Sequence, residues 1–226
     1  MSETIIFSNI IKILFVFILG TAALIIMQRT LSSLFTIYSV QSWLIAIIAM
    51  ILYLNSHAVV LLLLALLTVA TKAVIIPAVL RRIQASMNIK RDLEFRYLTP
   101  IGLLFVSTAM IFLVYRLFAQ YAFFHSGDNL LFFGAVIGIS LTLMGMLVIF
   151  TRKKMITKIL GYLTMENGVL LFSLFIAELP FIVEVLIIID LIMLIVLAAI
   201  LAFGIDSTVE VFHEKLNSFT NWFRDE

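Results

Sequence analysis

The sequence predicts an all-α protein, a polytopic membrane helix bundle of about seven transmembrane helices. Three observations carry that expectation. Of 226 residues, 64% are hydrophobic and 12% charged, whereas a soluble domain is about half apolar and a quarter charged. The apolar residues gather into stretches long enough to cross a bilayer, which takes about 20 residues of helix. The basic residues also fall on one side of the serpentine these stretches define.

The predicted spans run roughly over 5–27, 31–54, 58–80, 100–122, 130–150, 157–178 and 181–205. Residues 1–205 therefore form a transmembrane domain, followed by a tail at 206–226. Spans two and three are joined only by Asn55, Ser56 and His57, and spans six and seven only around Pro180, so both junctions are tight helical hairpins. Pro100 and Pro180 stand where a helix starts, a position that does not need the missing N–H. No cleavable signal segment is read ahead of the first span, which is expected to act as its own insertion signal.

Arg29 follows span one, and Arg81, Arg82, Lys90, Arg91 and Arg96 follow span three. Arg152, Lys153, Lys154 and Lys158 flank the start of span six, while Lys215 and Arg224 lie in the tail. All of these share one side of a seven-span chain. The opposite loops hold Asp128, Glu178 and Glu184 at their edges and no Lys or Arg. By the positive-inside rule the N-terminus is outside and the C-terminus cytoplasmic. The formal net charge of +2 is less informative than this distribution. Gly134 and Gly138 in span five, and Ala198 and Ala202 in span seven, put small residues four apart, a face for close helix approach.

Three basic residues fall inside spans. Lys12 and Arg116 lie near the outer surface, within reach of it by snorkelling. Lys72 is about eight residues from the inner end of span three, roughly 12 Å at 1.5 Å per residue. Glu166 and Asp190 lie in the middle third of spans six and seven. Each such charge costs about 2.5–3.5 kcal/mol at a helix centre. Leucine would pack these helices at lower cost, so the three point to a proton or cation path. The alternative is a fixed ion pair, Lys72 with Glu166 or Asp190, that fastens helices together. Around them, Pro77 frees the carbonyl of Ala73, beside Lys72. Thr68 lies one α-turn before Lys72 and is expected to bond it. Tyr162, Glu166, Leu170 and Ser173 share a helix face, to which Asn167 and Gly168 add polarity and room.

Two stretches echo each other, QRTLSSLFTIYSVQSWL from Gln28 and TRKKMITKILGYLTMENGVLL from Thr151. Each passes from a cytoplasmic basic start into a span with a polar residue well inside, Gln41 in one and Glu166 in the other. The following span carries Lys72 in the first half and Asp190 in the second. This suggests a duplicated three-helix unit in parallel orientation, residues 1–80 and 130–205, with 100–122 as the linking helix.

The run TRKK…ILGYLTMENGVLLF, followed by EVLIIIDLIMLIVLAAILAFGI, resembles the small NuoK subunit of respiratory complex I and the MrpC subunit of Mrp antiporters over about residues 130–205. The longer seven-span form with its MENG segment is similar over most of the chain to the HyfE-type membrane subunit of group 4 hydrogenases and formate hydrogenlyase complexes. NuoK-type subunits carry one membrane carboxylate in the middle helix and one in the last, and Glu166 and Asp190 match those roles. Two departures stand out. Gly161-Tyr162 precedes Glu166 by about one turn more than the family pattern, and Asp190 replaces a glutamate. The resemblance implies a proton- or sodium-translocating membrane arm attached to a cytoplasmic [NiFe] hydrogenase module, with antiporter-like and redox-coupled membrane subunits as partners. The proton-pathway residues would be Glu166, Asp190 and Lys72, with Gln41, Thr68, Tyr162 and Asn167 in support.

After Gly204 the chain becomes amphipathic. Ser207 and Glu210 fit a capping box, and Val209, Phe212, Leu216, Phe219 and Phe223 recur on one helix face. This tail either lies on membrane lipid or docks on a neighbouring subunit. The basic loop at 81–99 meets lipid headgroups or the soluble module. His57 and His125 read as solvated loop residues. With no cysteine, disulfides, iron–sulfur ligation and thiolate zinc sites are excluded. No nucleotide loop, nucleophile triad or metal cluster is recognisable. No catalytic residue, metal ligand, cofactor or nucleic-acid partner is expected, and the chain reads as an accessory subunit rather than an enzyme by itself. The remaining alternatives are a subunit of a cation/proton antiporter without a redox partner, and a purely structural membrane scaffold.

Overall fold

Where the sequence is continuously apolar the chain is helical, because in hydrocarbon every backbone N–H and C=O must be satisfied within its own segment. The computed structural model describes residues 2–86, 99–120 and 129–176, and beyond them 185, 188–190, 192–193, 195–197 and 199. Helix α1 spans Ser2–Met27 and α2 spans Leu31–Ser56. The third long helix is composite: α3 (Val59–Thr68), a π-helical segment (Val69–Ile75) and α4 (Ile76–Ser86) follow without a break. Then come α5 (Pro100–Gln120), α6 (Asn129–Thr151) and α7 (Met155–Ile176). The described part of the predicted seventh span includes the apolar helical run Ile188–Leu197. No strand occurs among the described residues.

Five of these helical stretches are long and apolar enough to cross a membrane, Phe7–Met27, Leu31–Ser56, Val59–Ala85, Pro100–Gln120 and Leu130–Thr151. The protein is a membrane-spanning all-α bundle. Helix α7 has the length to join them, with 22 residues, but Lys158, Glu166 and Asn167 make it less apolar. Pro100 does open its helix, and the hydroxyl of Thr99 accepts a hydrogen bond from the Gly102 amide at 3.3 Å. At the α2–α3 junction, His57 takes the left-handed conformation (φ 54°, ψ 19°), and its amide donates to the Tyr53 carbonyl at 2.7 Å. A single left-handed residue reverses the chain there, so this exposed histidine is a helix cap.

Helix α2 is the hub, packing against α1, α3, the π segment, α4 and α7. The closest pair is α6 with α7, and glycines explain why. A side-chain carbon on Gly138 would stand 2.6 Å from the Phe172 backbone, and one on Gly161 would stand 2.9 Å from Ile149. Gly134 faces Phe175, Gly145 faces the Met165 backbone and Gly168 faces Thr142, all too closely for a side chain. The GAVIG face expected in span five is thus half of a two-helix glycine seam. It turns Met165 and Gly168 towards α6 and leaves Glu166 and Asn167, at other angles on α7, for the opposite neighbours.

Arg152 flanks the start of α7, and its side chain folds inward. It is among the most deeply buried large side chains, with 1% exposure, at the turn between α6 and α7. Its Nη2 donates to the carbonyls of Ile26 at 2.9 Å, Gln28 at 2.8 Å and Ile25 at 3.3 Å. These are acceptors that the C-terminus of α1 leaves open, where a cation is also favoured by the helix dipole. Burial pulls the guanidinium down to about 10, still charged at neutral pH. Arg152→Ala is expected to destabilise the fold by about 2–4 kcal/mol, since hydrogen bonds to charged groups contribute about 1.5–3 kcal/mol each. Arg152→Lys should recover only part of this. Equilibrium unfolding of the purified protein in mixed micelles measures both.

Lys12 and Arg116 are exposed, as snorkelling side chains require. The capping box and amphipathic tail at 206–226, the basic residues Lys90, Arg91 and Arg96, the outer-loop Asp128, Glu178 and Glu184, His125, the Pro180 hairpin and the Ala198–Ala202 face lie outside the described residues.

Candidate functional site

The site begins with Pro77. Its ring nitrogen has no hydrogen to give the Ala73 carbonyl, and its bulk crowds that carbonyl. The chain responds by widening into π geometry over Val69–Ile75, where bonds run from residue i to i+5, and the Ile76 amide accordingly donates to the Thr71 carbonyl. The freed Ala73 carbonyl is met from α2 by the Ser39 hydroxyl, at 2.6 Å. The sequence indicated the orphaned acceptor but not the donor.

Lys72 sits in the middle of this widened turn. Its Nζ lies 2.7 Å from Glu166 Oε1 on α7 and 3.6 Å from Asp190 Oδ1 on the last helical run. The three side chains are buried together, with residue exposures of 1%, 3% and 4%. Residues separated by up to 118 positions in the chain therefore meet, as their shared cost in a membrane led one to expect. Asp190 has a second partner, the Thr71 hydroxyl, which lies 3.2 Å from Oδ2 and 2.9 Å from the Leu67 carbonyl. A hydroxyl has one hydrogen to give, so Thr71 donates to one of these at a time.

A second polar layer adjoins the charges. Asn167 Nδ2 donates to Gln41 Oε1 and to the Ser42 hydroxyl, each at 3.2 Å. Gln41 Nε2 donates in turn to the Thr21 hydroxyl at 3.2 Å, and Thr21 donates to the Ile18 carbonyl at 2.7 Å. Gln41 and Asn167 are completely buried. This chain ties α7 to α2 and α1 at the residue after Glu166, and so fixes the rotation of α7 that aims Glu166 at Lys72. Leaving one of these buried groups without its partner costs about 1–3 kcal/mol.

Of the supporting residues the sequence pointed to, Gln41 and Asn167 bond each other, and Tyr162 is half-buried within Coulombic range of both carboxylates. Thr68 is a correction. It is buried but makes no hydrogen bond to Lys72, because the π segment starts immediately after it. One added residue per turn carries position i+4 off the face on which an α-helix would place it. Sequence reasoning missed Thr71, Ser39, Ser42, Thr21 and Tyr38. Tyr38 is fully buried on α2, within Coulombic range of Glu166 and Asp190 and beside the Ser42 side chain. For all but Thr21 the only signal was the density of hydroxyl residues in YSVQS and TVATK.

Comparison with models of known protein families gives no match, and none of the curated proteins or solved structures matches either.

Proposed function

We propose that this chain is a non-catalytic membrane-arm subunit of an ion-translocating group 4 [NiFe]-hydrogenase complex, carrying part of a proton path through the membrane. The observation that supports this most is the meeting of Lys72, Glu166 and Asp190 in one buried cluster. Intramembrane ionisable groups at such depth mark relays and ion paths by default. Protons would pass laterally from a redox-coupled subunit, through the cluster, to antiporter-like subunits. Gln41, Asn167 and Tyr162 shape its surroundings, and the resemblance to HyfE-, NuoK- and MrpC-type subunits gives the reading its complex. The cytoplasmic hydrogenase module would lie on the side of the basic loops. The protein would sit in the cytoplasmic membrane with its N-terminus outside.

A second reading is favoured by the 2.7 Å contact of Lys72 with Glu166, which equally suits a permanent clamp in a structural scaffold. Affinity purification from membranes tests the assembly. Hydrogenase large and small subunits should accompany the chain together with hydrogen-evolving activity. Their absence beside retained antiporter-like partners would replace the hydrogenase by an antiporter.

The orientation has its own test, made clean by the absence of native cysteine. Ser126→Cys should react with an impermeant thiol reagent on intact cells, and Ser86→Cys only after the membrane is opened. Labelling of position 86 in intact cells would overturn the seven-span orientation.

A further inference from the structure

The cluster does not balance. Lys72 supplies one positive charge and Glu166 with Asp190 supply two negative ones. Among the described residues no second basic side chain lies within ion-pair distance of either carboxylate. A buried site of net charge −1 would be opposed by desolvation with nothing to offset it. Its hydrogen bonding is incomplete as well. Glu166 Oε2 is buried without a hydrogen-bond partner among the described residues, and Asp190 Oδ1 has only its long contact with the ammonium. One positive charge with one hydrogen to donate would correct both deficits.

We propose that the Lys72–Glu166–Asp190 cluster binds one proton in its resting state, shared between the two carboxyl groups and held by charge balance with a single ammonium. The occupant is a proton and not a metal cation for a steric reason. Hard cations need a shell of several oxygens, and here one oxygen of each carboxylate already faces the ammonium, Glu166 Oε1 at 2.7 Å and Asp190 Oδ1 at 3.6 Å. Thr71 is placed to follow the shared proton. Thr71 accepts from Asp190 when that carboxyl holds the proton, and turns to donate to it when it does not. The proposal rests on the reading of these residues as one site, and it adds the number and kind of ion held there.

Charge balance makes an unusual forecast for substitutions. Glu166→Gln leaves Lys72 with Asp190 alone, and Asp190→Asn leaves it with Glu166 alone, so either change should release the proton completely, not by half. Lys72→Met leaves two carboxyls without a cation, and both should then be protonated. The measurement is the infrared C=O stretch of a protonated carboxyl, which carboxylates lack, recorded on the purified full-length protein in lipid nanodiscs at neutral pH. Wild type should show one such band, shifting on exchange into D₂O, at low and high sodium chloride alike. It should vanish in each carboxamide variant and double in Lys72→Met. If Lys72→Met fails to fold, the two carboxamide variants still decide.

Absence of the band in wild type would overturn the proposal. So would a band removed by only one carboxamide variant, or one that appears only when sodium is withdrawn, the mark of a metal occupant. Ion transport is read separately. A band that behaves as forecast beside normal transport in both variants would retire the proton path and leave the bound proton standing.

Discussion

Lys72→Met should lower the stability of the folded chain by about 3–5 kcal/mol, the cost of breaking a buried ion pair from one side. The substitution keeps the length and packing of the side chain but leaves Glu166 and Asp190, 3% and 4% exposed, without the ammonium that faces both. Its neighbours offer little else. Thr71 has a single hydrogen for Asp190, and Glu166 Oε2 has no hydrogen-bond partner among the described residues. Combining Lys72→Met with Glu166→Gln and Asp190→Asn should restore much of the stability, because replacing a buried charged set as a whole is far less costly than orphaning part of it. Equilibrium unfolding in mixed micelles measures each step, and the difference between single and combined variants isolates the coupling. A loss below about 1 kcal/mol would place the pair among exposed ones and contradict the burial described above.

The extent to which this fold and site were legible in the sequence follows from what each residue costs when misplaced. Helices were legible because an unsatisfied backbone in hydrocarbon is prohibitive, so long apolar runs have one solution. Leu31–Ser56 and Asn129–Thr151 lie within two residues of the expected spans. Lys72, Glu166 and Asp190 were legible because an intramembrane charge persists only with a partner or a purpose. Less costly residues carried less information. Thr71 and Ser39 looked like ordinary tolerated hydroxyls, and what gives them partners is the π segment that Pro77 imposes. That same widening made the Thr68 expectation fail, since α-helical spacing was assumed across it. Arg152 stands beside Lys153 and Lys154, and nothing in the run TRKK distinguishes the one that folds inward. Gly161 and Gly168 lie seven apart, so only the facing glycines of α6 show that they form a seam.

The central claim is that the buried carboxylates change protonation as ions cross. Glutamine and asparagine keep the shape of these groups and some of their hydrogen bonding but cannot exchange a proton. Hydrogen evolution and ion uptake should therefore be recorded side by side in membrane vesicles carrying the proposed hydrogenase complex, for wild type, Glu166→Gln and Asp190→Asn, with complex content quantified independently. The account predicts that both variants assemble and evolve hydrogen while uptake falls about a hundredfold or more, the low end of what a positioned acid–base group contributes. Normal uptake by both variants would contradict it, and loss of assembly in either would assign that carboxylate to a fixed clamp.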